Sequence, residues 1–409
     1  MKIGLLAYHS ACNFGATLQL LSTYHYLKNN GITPIIINWI APDLQTFYEQ
    51  TTPKEQITQQ EILRTQIWSE TELCKNSEDI AQAIERHQIQ AIIIGSDAVA
   101  QHHPWVEKII FPTKTFFSIR HFTTDRIFPN PFWGTFNHYL KKPVPIAVMS
   151  ASSQDSRYLF TSFADRQEMA KAIKKYQYIS VRDEWTQKMI AYITYSKTIP
   201  QVTPDPVFAF NQNAGSLIPT KQQLQETYNL PDKYLVLSFI SEQVVHKEWL
   251  QQFEQTANQK GYACFLLPFS QKQSCGNLQH KIELPLSPLH WYGIIKHSQG
   301  YIGNNMHPIV VCLHNSVPFF SFDNYGLRMF NGLYSYENTS KIKHILHLAG
   351  QEQYRVSCLK RTFTPPSPDF VLNKIINFNG EQSTLFAETY LNKYNQMMKE
   401  IINTLSLTI

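Results

Sequence analysis

Short apolar runs alternate with amphipathic stretches along most of this chain, and this alternation restricts its fold more than any other feature. The apolar run at residues 3–8 predicts a buried strand, residues 16–29 carry apolar side chains at helical spacing, and residues 34–39 (PIIINW) predict the next strand. A strand–helix–strand unit joins parallel strands through a crossover that is right-handed in nearly all proteins. We therefore predict an α/β protein built on parallel sheets.

The alternation is interrupted once and then begins again. Residues 211–219 (NQNAGSLIP) have the composition of a linker, and residues 234–239 after them predict a new strand. The 409 residues of the chain suffice for two domains of about 100–200 residues each. We predict two Rossmann-like domains facing a cleft, residues 1–212 and 213–375, and a C-terminal helix in residues 376–409 that packs back on the first domain.

Residues 98–142 do not follow the alternation. They are rich in histidine, proline and aromatic residues and have little periodicity. We expect an irregular insertion near the mouth of a ligand site. His102 and His103 within it are adjacent and have no evident carboxylate partner, so we predict no metal site.

Composition and charge exclude several classes of protein. The chain is 43% apolar and 13% aromatic, which excludes a disordered protein. Its net charge is only +5, without a long Lys/Arg run, so we predict no nucleic-acid partner. The first apolar run is too short for a signal peptide, and no run reaches the length of a spanning helix. The six cysteines have no C-x-x-C or zinc-type spacing, so we expect reduced thiols in a cytoplasmic protein. Any membrane contact is expected to be peripheral, at the inner face.

Four polar clusters follow predicted strands, which is where parallel sheets bind ligands. The first cluster contains His9, Asn13, Gly15 and Gln19 and lies between the first strand and the first helix. A glycine and small residues there leave backbone N–H groups for an anion. An ordinary turn with Asn13 as the helix cap is the alternative. One glycine does not make a dinucleotide-binding G-x-G-x-x-G loop, and no P-loop lysine follows.

The second and third clusters offer charged side chains. Gly95-Ser96-Asp97 presents Asp97 as a base or as an acceptor for a sugar hydroxyl, with a helix-capping role as the alternative. Arg182-Asp183 presents a guanidinium that suits phosphate or carboxylate. A structural Arg–Asp pair is the alternative there.

The fourth cluster is Asn304-Asn305-Met306-His307-Pro308. Pro308 predicts the first turn of a helix, which places His307 in the loop before it and directs its ring into the cleft. The ordinary pKa of histidine suits proton transfer near neutral pH. A structural histidine is the alternative.

Taken in order, these clusters resemble the motifs of the polysaccharide pyruvyl transferase family. Each match is short, and the order and spacing of the matches carry the signal. The matching stretches, with the family motif in parentheses, are residues 8–19 (H-S-A-N-N-Y-G-A-x-L-Q), 94–97 (G-S-D-Q), 146–152 (I-A-Y-A-A-S), 180–184 (S-V-R-E/D), 205–206 (D-P) and 304–307 (D-S-F-H or M-R-L-H), and Arg328 lies where a later arginine is common.

The resemblance implies a GT-B-like fold with an acceptor side in the first domain and a donor side in the second. It implies transfer of pyruvate from phosphoenolpyruvate to a sugar hydroxyl pair, which forms a ketal in a surface polysaccharide. His307 is then the expected acid, Arg182 and Arg328 bind the anion, and Asp97 and Asn13 position the acceptor or assist proton removal. Phosphoenolpyruvate is a co-substrate, no cofactor is implied, and the acceptor is a sugar or glycan, free or linked to a nucleotide or a lipid.

The sequence departs from the family beside its histidine. Asn304 and Asn305 stand where the family has an acidic or basic residue, and Pro308 replaces a small one. A missing Arg weakens the expected anion clamp, and a missing Asp leaves His307 without an evident orienting carboxylate.

Two other functions stay open at this point. A glycosyltransferase with a nucleotide-sugar donor is favoured slightly by the missing Arg and disfavoured by the lack of a clear acidic ribose-binding residue in the second domain. A non-catalytic sugar-binding relative is disfavoured by His307 and Arg182. The other residues predicted to bind substrate are His9, Gly15, Gln19, Gly95, Ser96, Asp183, Asn304 and Asn305.

Overall fold

Two six-stranded sheets, each parallel throughout, form the frame of the protein. The computed structural model describes residues 1–10, 12–104, 107–110, 118–154, 156–242, 244–329 and 334–408.

The first sheet has the strand order β2-β1-β3-β6-β7-β8. Because the order reverses between β1 and β3, the loops after these two strands border a crevice at the carboxyl edge. The elements of this part of the chain are β1 (Lys2–Leu6), α1 (Phe14–Asn29), β2 (Thr33–Ile36), α2 (Pro42–Thr51), α3 (Lys54–Ile67), α4 (Ser77–His87), β3 (Ala91–Asp97), β4 (Glu107–Ile110), β5 (Ser118–His121), β6 (Ile146–Ala151), α5 (Phe163–Lys174), β7 (Tyr178–Val181), α6 (Glu184–Ile193) and β8 (Gln201–Val202).

The second sheet has the order β11-β10-β9-β12-β13-β16, which is the Rossmann order and reverses between β9 and β12. The prediction of two Rossmann-like domains is therefore confirmed. The remaining elements are α7 (Phe210–Ala214), α8 (Lys221–Tyr228), β9 (Tyr234–Ser238), α9 (Lys247–Gln259), β10 (Ala263–Leu266), β11 (His280–Lys281), α10 (Pro288–Lys296), β12 (Gly300–Gly303), α11 (Met306–Asn315), β13 (Phe319–Asp323), β14 (Leu327–Met329), β15 (Tyr334–Tyr336), α12 (Lys341–Leu348), β16 (Arg355–Ser357), α13 (Pro368–Ile376) and α14 (Gly380–Thr408).

Helix α1 lies between the two domains. Thirteen of its residues are buried, including the polar Gln19 and Ser22. A helix buried on all sides needs a partner on each face. The first sheet covers one face of α1, and the second domain covers another, where the Phe14 ring lies 5.5 Å from the ring of Trp291 in α10. One hydrophobic core therefore runs through both domains.

The predicted linker at residues 211–219 is helical over much of its length. It contains α7 and a 3₁₀ turn, Gly215–Leu217. The Asn211 side chain donates to Oδ1 of Asn315 at 2.9 Å and accepts from the Tyr292 hydroxyl at 3.1 Å. The Asn211 side chain thus anchors the segment to the second domain, and the Asn213 side chain, which donates to Ser22 at 3.1 Å, anchors it to α1.

The insertion at residues 98–142 is more regular than predicted. It contains the antiparallel pair β4–β5 and three 3₁₀ turns. Its aromatic composition is explained by packing, because the Phe132 ring lies 5.0 Å from Trp39 and 4.9 Å from Tyr8.

Helix α14 packs on the first domain, as predicted. The Tyr394 ring stands edge-on to Tyr26 at 5.6 Å, and the Ser150 hydroxyl donates to the Met397 sulfur at 3.3 Å. The helix also lies along α11, so it contacts both domains.

Neither a membrane span nor a disulfide is found in the described part of the chain. No helix within it is long and apolar enough to cross a membrane. Its six cysteines are all unbridged, and five of them are buried.

The packing of α14 predicts unequal costs for two truncations on this helix. Ile401 is fully buried and Leu407 is 90% exposed. Ile401→Ala should lower the free energy of unfolding by about 2–5 kcal/mol, and Leu407→Ala by less than about 0.5 kcal/mol. Urea unfolding of both variants measures this, and equal losses would contradict the docking of α14.

Candidate active site

Three buried charged side chains form an ion network at the carboxyl edge of the first sheet. Arg182 follows β7 and donates from Nη2 to Oδ1 of Asp97 at 3.1 Å and from Nη1 to Oδ2 of Asp205 at 2.8 Å. Each of these side chains is less than a tenth exposed. Gln19 of α1 donates to the same Asp205 oxygen at 2.6 Å. The network therefore ties the ends of three strands to the interdomain helix.

The network is held in its ionised form. Burial raises the pKa of Asp97, but the positive charges of Arg182, Lys341 and His307 outweigh burial and bring it down to about 2. Burial lowers the pKa of Arg182, and Asp205 and Asp97 outweigh burial and raise it. One guanidinium thus faces two carboxylates.

Gly95 and Ser96 shape the end of β3. Gly95 has φ 133°, and a Cβ built there would overlap the Met149 carbonyl oxygen, so only glycine fits. The Ser96 hydroxyl donates to the carbonyl of Ser150 at 3.0 Å. Asp97 follows with φ 74°, and this turn aims its carboxylate at Arg182.

His307 lies against this network from the second domain. The expectation that it precedes its helix is wrong, because α11 begins at Met306 and His307 occupies its first turn. The ring packs on Gly15 of α1 so closely that a Cβ on Gly15 would overlap it. His307 is 9% exposed, and its buried Nε2 has no hydrogen-bond partner among the described residues.

Opposing effects set the protonation of His307. Burial lowers its pKa, Asp205 and Asp97 raise it, and Arg182 and Lys341 lower it again, so the pKa lies below its ordinary value. The charges of Asp205 and Asp97 act on His307 from the first domain, but among the described residues no carboxylate hydrogen bond that orients its ring is found. A ligand with negative charge would shift the balance toward the imidazolium.

Asn13 and Asp183 cap helices. The Asn13 Oδ1 accepts from the backbone N–H groups of Gly15 at 3.0 Å and Ala16 at 3.3 Å. Asp183 Oδ1 accepts from the N–H of Thr186 at 2.8 Å at the start of α6. Substrate binding by these two side chains stays a prediction.

His9 belongs to a polar cluster inside the first domain. Its Nε2 lies 2.9 Å from Oδ1 of Asn38, which also accepts from Arg64. Burial and the Arg64 charge lower the pKa of His9 to about 4, so its ring is neutral at physiological pH. A structural role accounts for these contacts.

Asn304 and Asn305 lead into α11. Asn304 accepts from the N–H of Ile240 at 3.3 Å, and its buried Nδ2 has no partner within the described residues. Asn305 occupies the N-cap position of α11, and in the part of the chain that is described its side chain makes no capping bond. Substrate binding by Asn304 and Asn305 stays a prediction. The backbone of Arg328 lies in β14, and its side chain is outside the described residues, so its anion-binding role stays a prediction.

A cleft opens beside the network. It is lined from both domains by Arg182, Asp183, Thr203, Asp205, Met306, Val310, Lys341, His344, Ile345 and Tyr390. Among the described residues no three His, Cys, Asp or Glu side chains are grouped so as to hold a metal ion.

Several of these residues were missed by the sequence reasoning. Asp205 stood in a recognised motif but was not assigned to the site. Lys341 and His344 belong to no sequence motif. Their helix, α12, is positioned by a contact between residues that are distant in sequence. Its cap, Ser340, donates to Asp323, which also accepts from Arg355 Nε at 2.6 Å.

Two doubly wound domains with a polar cleft between them define a GT-B-like protein. The chain belongs to the polysaccharide pyruvyl transferase family, a family of transferases whose model matches residues 13–325. Comparison with curated protein sequences finds no match.

A solved structure supports the fold assignment. A UDP-GlcNAc 2-epimerase from Neisseria meningitidis bound to UDP-GlcNAc is 12% identical, with 99% of each chain covered and a TM-score of 0.54. A glycosyltransferase from Rickettsia africae is 11% identical, with 99% of this chain and 97% of the other covered and a TM-score of 0.47. At this identity the first likeness shows the fold, and the GT-B-like prediction is confirmed.

The contact between α1 and α11 predicts that Gly15 cannot be enlarged. Gly15→Ala should force the His307 ring aside and lower the free energy of unfolding by about 1–3 kcal/mol. Gly215→Ala is the matched control, because nothing lies within 4 Å of a Cβ at that position. Urea unfolding compares the two, and equal stability would contradict the contact.

The ion network predicts a loss of stability that depends on pH. Arg182→Met leaves two carboxylates buried without their partner and should cost about 3–5 kcal/mol at neutral pH. The ordinary pKa of Asp97 is 3.8 and its folded value is about 2, so the stabilisation is present above about pH 4 and is lost as the pH falls toward 2. The difference in the free energy of unfolding between the wild type and Arg182→Met should therefore become smaller as the pH falls over that range.

Urea unfolding at a series of pH values measures this effect. Lys281→Met removes an exposed ion pair with Glu283 and serves as the control, with an expected cost under about 1 kcal/mol. A loss for Arg182→Met as small as that of the control would show that the network does not hold the fold.

Proposed function

We propose that the protein transfers pyruvate from phosphoenolpyruvate to two hydroxyls of one sugar. The observation that carries the proposal is the buried Nε2 of His307, which has no hydrogen-bond partner among the described residues and is subject to the charges of two carboxylates, in a chain of the pyruvyl transferase family. One sugar hydroxyl adds to C2 of phosphoenolpyruvate while C3 takes up a proton. The second hydroxyl then adds to C2 and displaces phosphate. The products are a cyclic ketal and hydrogen phosphate, with one hydroxyl proton on C3 and the other on the departing phosphate.

His307 is the proposed acid for C3. When the cleft holds no ligand, the His307 ring is neutral because burial lowers its pKa. A trianionic donor in the cleft adds negative charge to that of the two aspartates, and this raises the pKa of His307 so that it binds a proton there. Asp97 is a poor base with a pKa of about 2, so its proposed role is electrostatic.

The donor's negative groups require cations and N–H groups. Lys341 and His344 line the cleft from α12, and before α11 the Nδ2 group of Asn304 has no partner among the described residues. Both Nη atoms of Arg182 already bond to aspartates. Arg182 is therefore proposed to hold Asp97 and Asp205 in place. Its effect on the donor is then indirect, through the positions of these two carboxylates.

Phosphate release tests the reaction directly. The protein is incubated with phosphoenolpyruvate and a panel of soluble sugars with paired hydroxyls, and phosphate and ketal are followed together. Equal amounts of phosphate and ketal are expected with at least one sugar. Release of UDP from a sugar nucleotide, without phosphate from phosphoenolpyruvate, would establish the glycosyltransferase function and overturn the proposal.

The assigned acid predicts the effect of one substitution. His307→Ala should lower turnover by about 10²–10⁴-fold, as expected for loss of a general acid. His314→Ala, at the other end of the same helix, should leave turnover unchanged. The wild-type kcat/KM should fall as the pH rises through the pKa of His307, which lies below 6.5 in the free protein. Unchanged turnover in His307→Ala would remove the assignment.

A further inference from the structure

A group of large apolar side chains is exposed at the start of α5. Leu159, Phe160 and Phe163 lie within five residues of one another and are each more than 60% exposed. The guanidinium of Arg166 joins them to the end of α6, where it lies 3.7 Å from the ring of Tyr195, itself 49% exposed. We call these five residues the aromatic surface.

The segment that carries the aromatic surface is positively charged. Residues 157–199 contain eight Lys or Arg against four Asp or Glu, a net charge of +4 in a chain whose total is +5. Lys174, Lys175, Lys188 and Lys197 of this segment are exposed. Exposed aromatic and aliphatic side chains on a segment with exposed lysines match the interface of an anionic bilayer. Protein–protein interfaces are instead depleted of lysine.

Aromatic contacts connect this surface to the cleft. The Tyr158 ring, next to Leu159, lies 4.8 Å from Trp185, two residues after the cleft residue Asp183. Trp185 in turn lies 6.5 Å from Tyr336 of β15 in the second domain. Packed rings therefore link the aromatic surface to the side of the cleft that carries Asp183.

We propose that the aromatic surface docks on an anionic phospholipid bilayer and that the acceptor is a glycan on a membrane lipid. The docking stands on exposure and charge alone. The identity of the acceptor rests on the proposed function.

Vesicle sedimentation tests the docking. The full-length protein should bind vesicles of phosphatidylcholine with phosphatidylglycerol, should release them at high salt, and should bind pure phosphatidylcholine weakly. The double variant Leu159→Ser/Phe163→Ser should bind the anionic vesicles about tenfold less well. Phe370→Ser/Leu385→Ser removes exposed apolar side chains elsewhere and should bind as the wild type does.

The docking would be overturned if the wild type did not bind anionic vesicles. It would also be overturned if the two double variants bound these vesicles equally well. A dimer in solution that only Leu159→Ser/Phe163→Ser dissociates would also overturn it, because a second copy would then cover the surface.

Phosphate release separates this proposal from the proposed function. On a soluble sugar, Leu159→Ser/Phe163→Ser should release phosphate at the wild-type rate, whereas on a glycolipid acceptor in vesicles its rate should fall about tenfold with its binding. Equal rates on the glycolipid would overturn the lipid-linked acceptor. Vesicle binding without phosphate release from any acceptor would reject the proposed function and leave the docking intact.

Discussion

The structure depends on Arg182, whose guanidinium lies between the carboxylates of Asp97 and Asp205. A buried charge is costly unless it is paired and hydrogen-bonded, so these groups have little freedom to move. Their positions fix the ends of β3 and β7 and the segment after β8. Gln19 links Asp205 to α1 by a hydrogen bond. In the same helix Gly15 leaves the space that the His307 ring of the second domain fills. The position of His307 thus depends, through α1, on the ion network of the first domain.

This arrangement explains why the site needs both domains. The first domain contributes an excess of negative charge in Asp97, Arg182 and Asp205, and the second contributes His307, Lys341 and the start of α11. Burial alone would keep the imidazole neutral, and the aspartates oppose that effect. The protonation of His307 is therefore sensitive to whatever anion enters the cleft.

The sequence predicted the frame well and the partners within it poorly. Strands such as β3 and β6 are buried along their whole length, so they read as continuous apolar runs. The β4–β5 pair escaped prediction because EKII and SIRH show no clear alternation. The polar residue after a strand was identified correctly in Asp97 and Arg182, but their pairing depends on strand register, which joins positions 85 residues apart. The sequence allowed Asn13 both a capping role and a binding role, and only the backbone geometry of α1 displays the cap. Lys341 reaches the cleft through Ser340 and Asp323, a contact that no local pattern reports.

We expect His307 to take up a proton when an anionic donor binds, because Asp97 and Asp205 already oppose the effect of burial. Titration of ¹⁵N-histidine-labelled protein by NMR, with the His307 signal assigned by its loss in His307→Gln, measures this directly. Phosphoenolpyruvate should raise the pKa of His307, and Asp97→Asn should lower this pKa both with and without phosphoenolpyruvate. Binding of phosphoenolpyruvate with no change in the pKa of His307 would contradict this expectation.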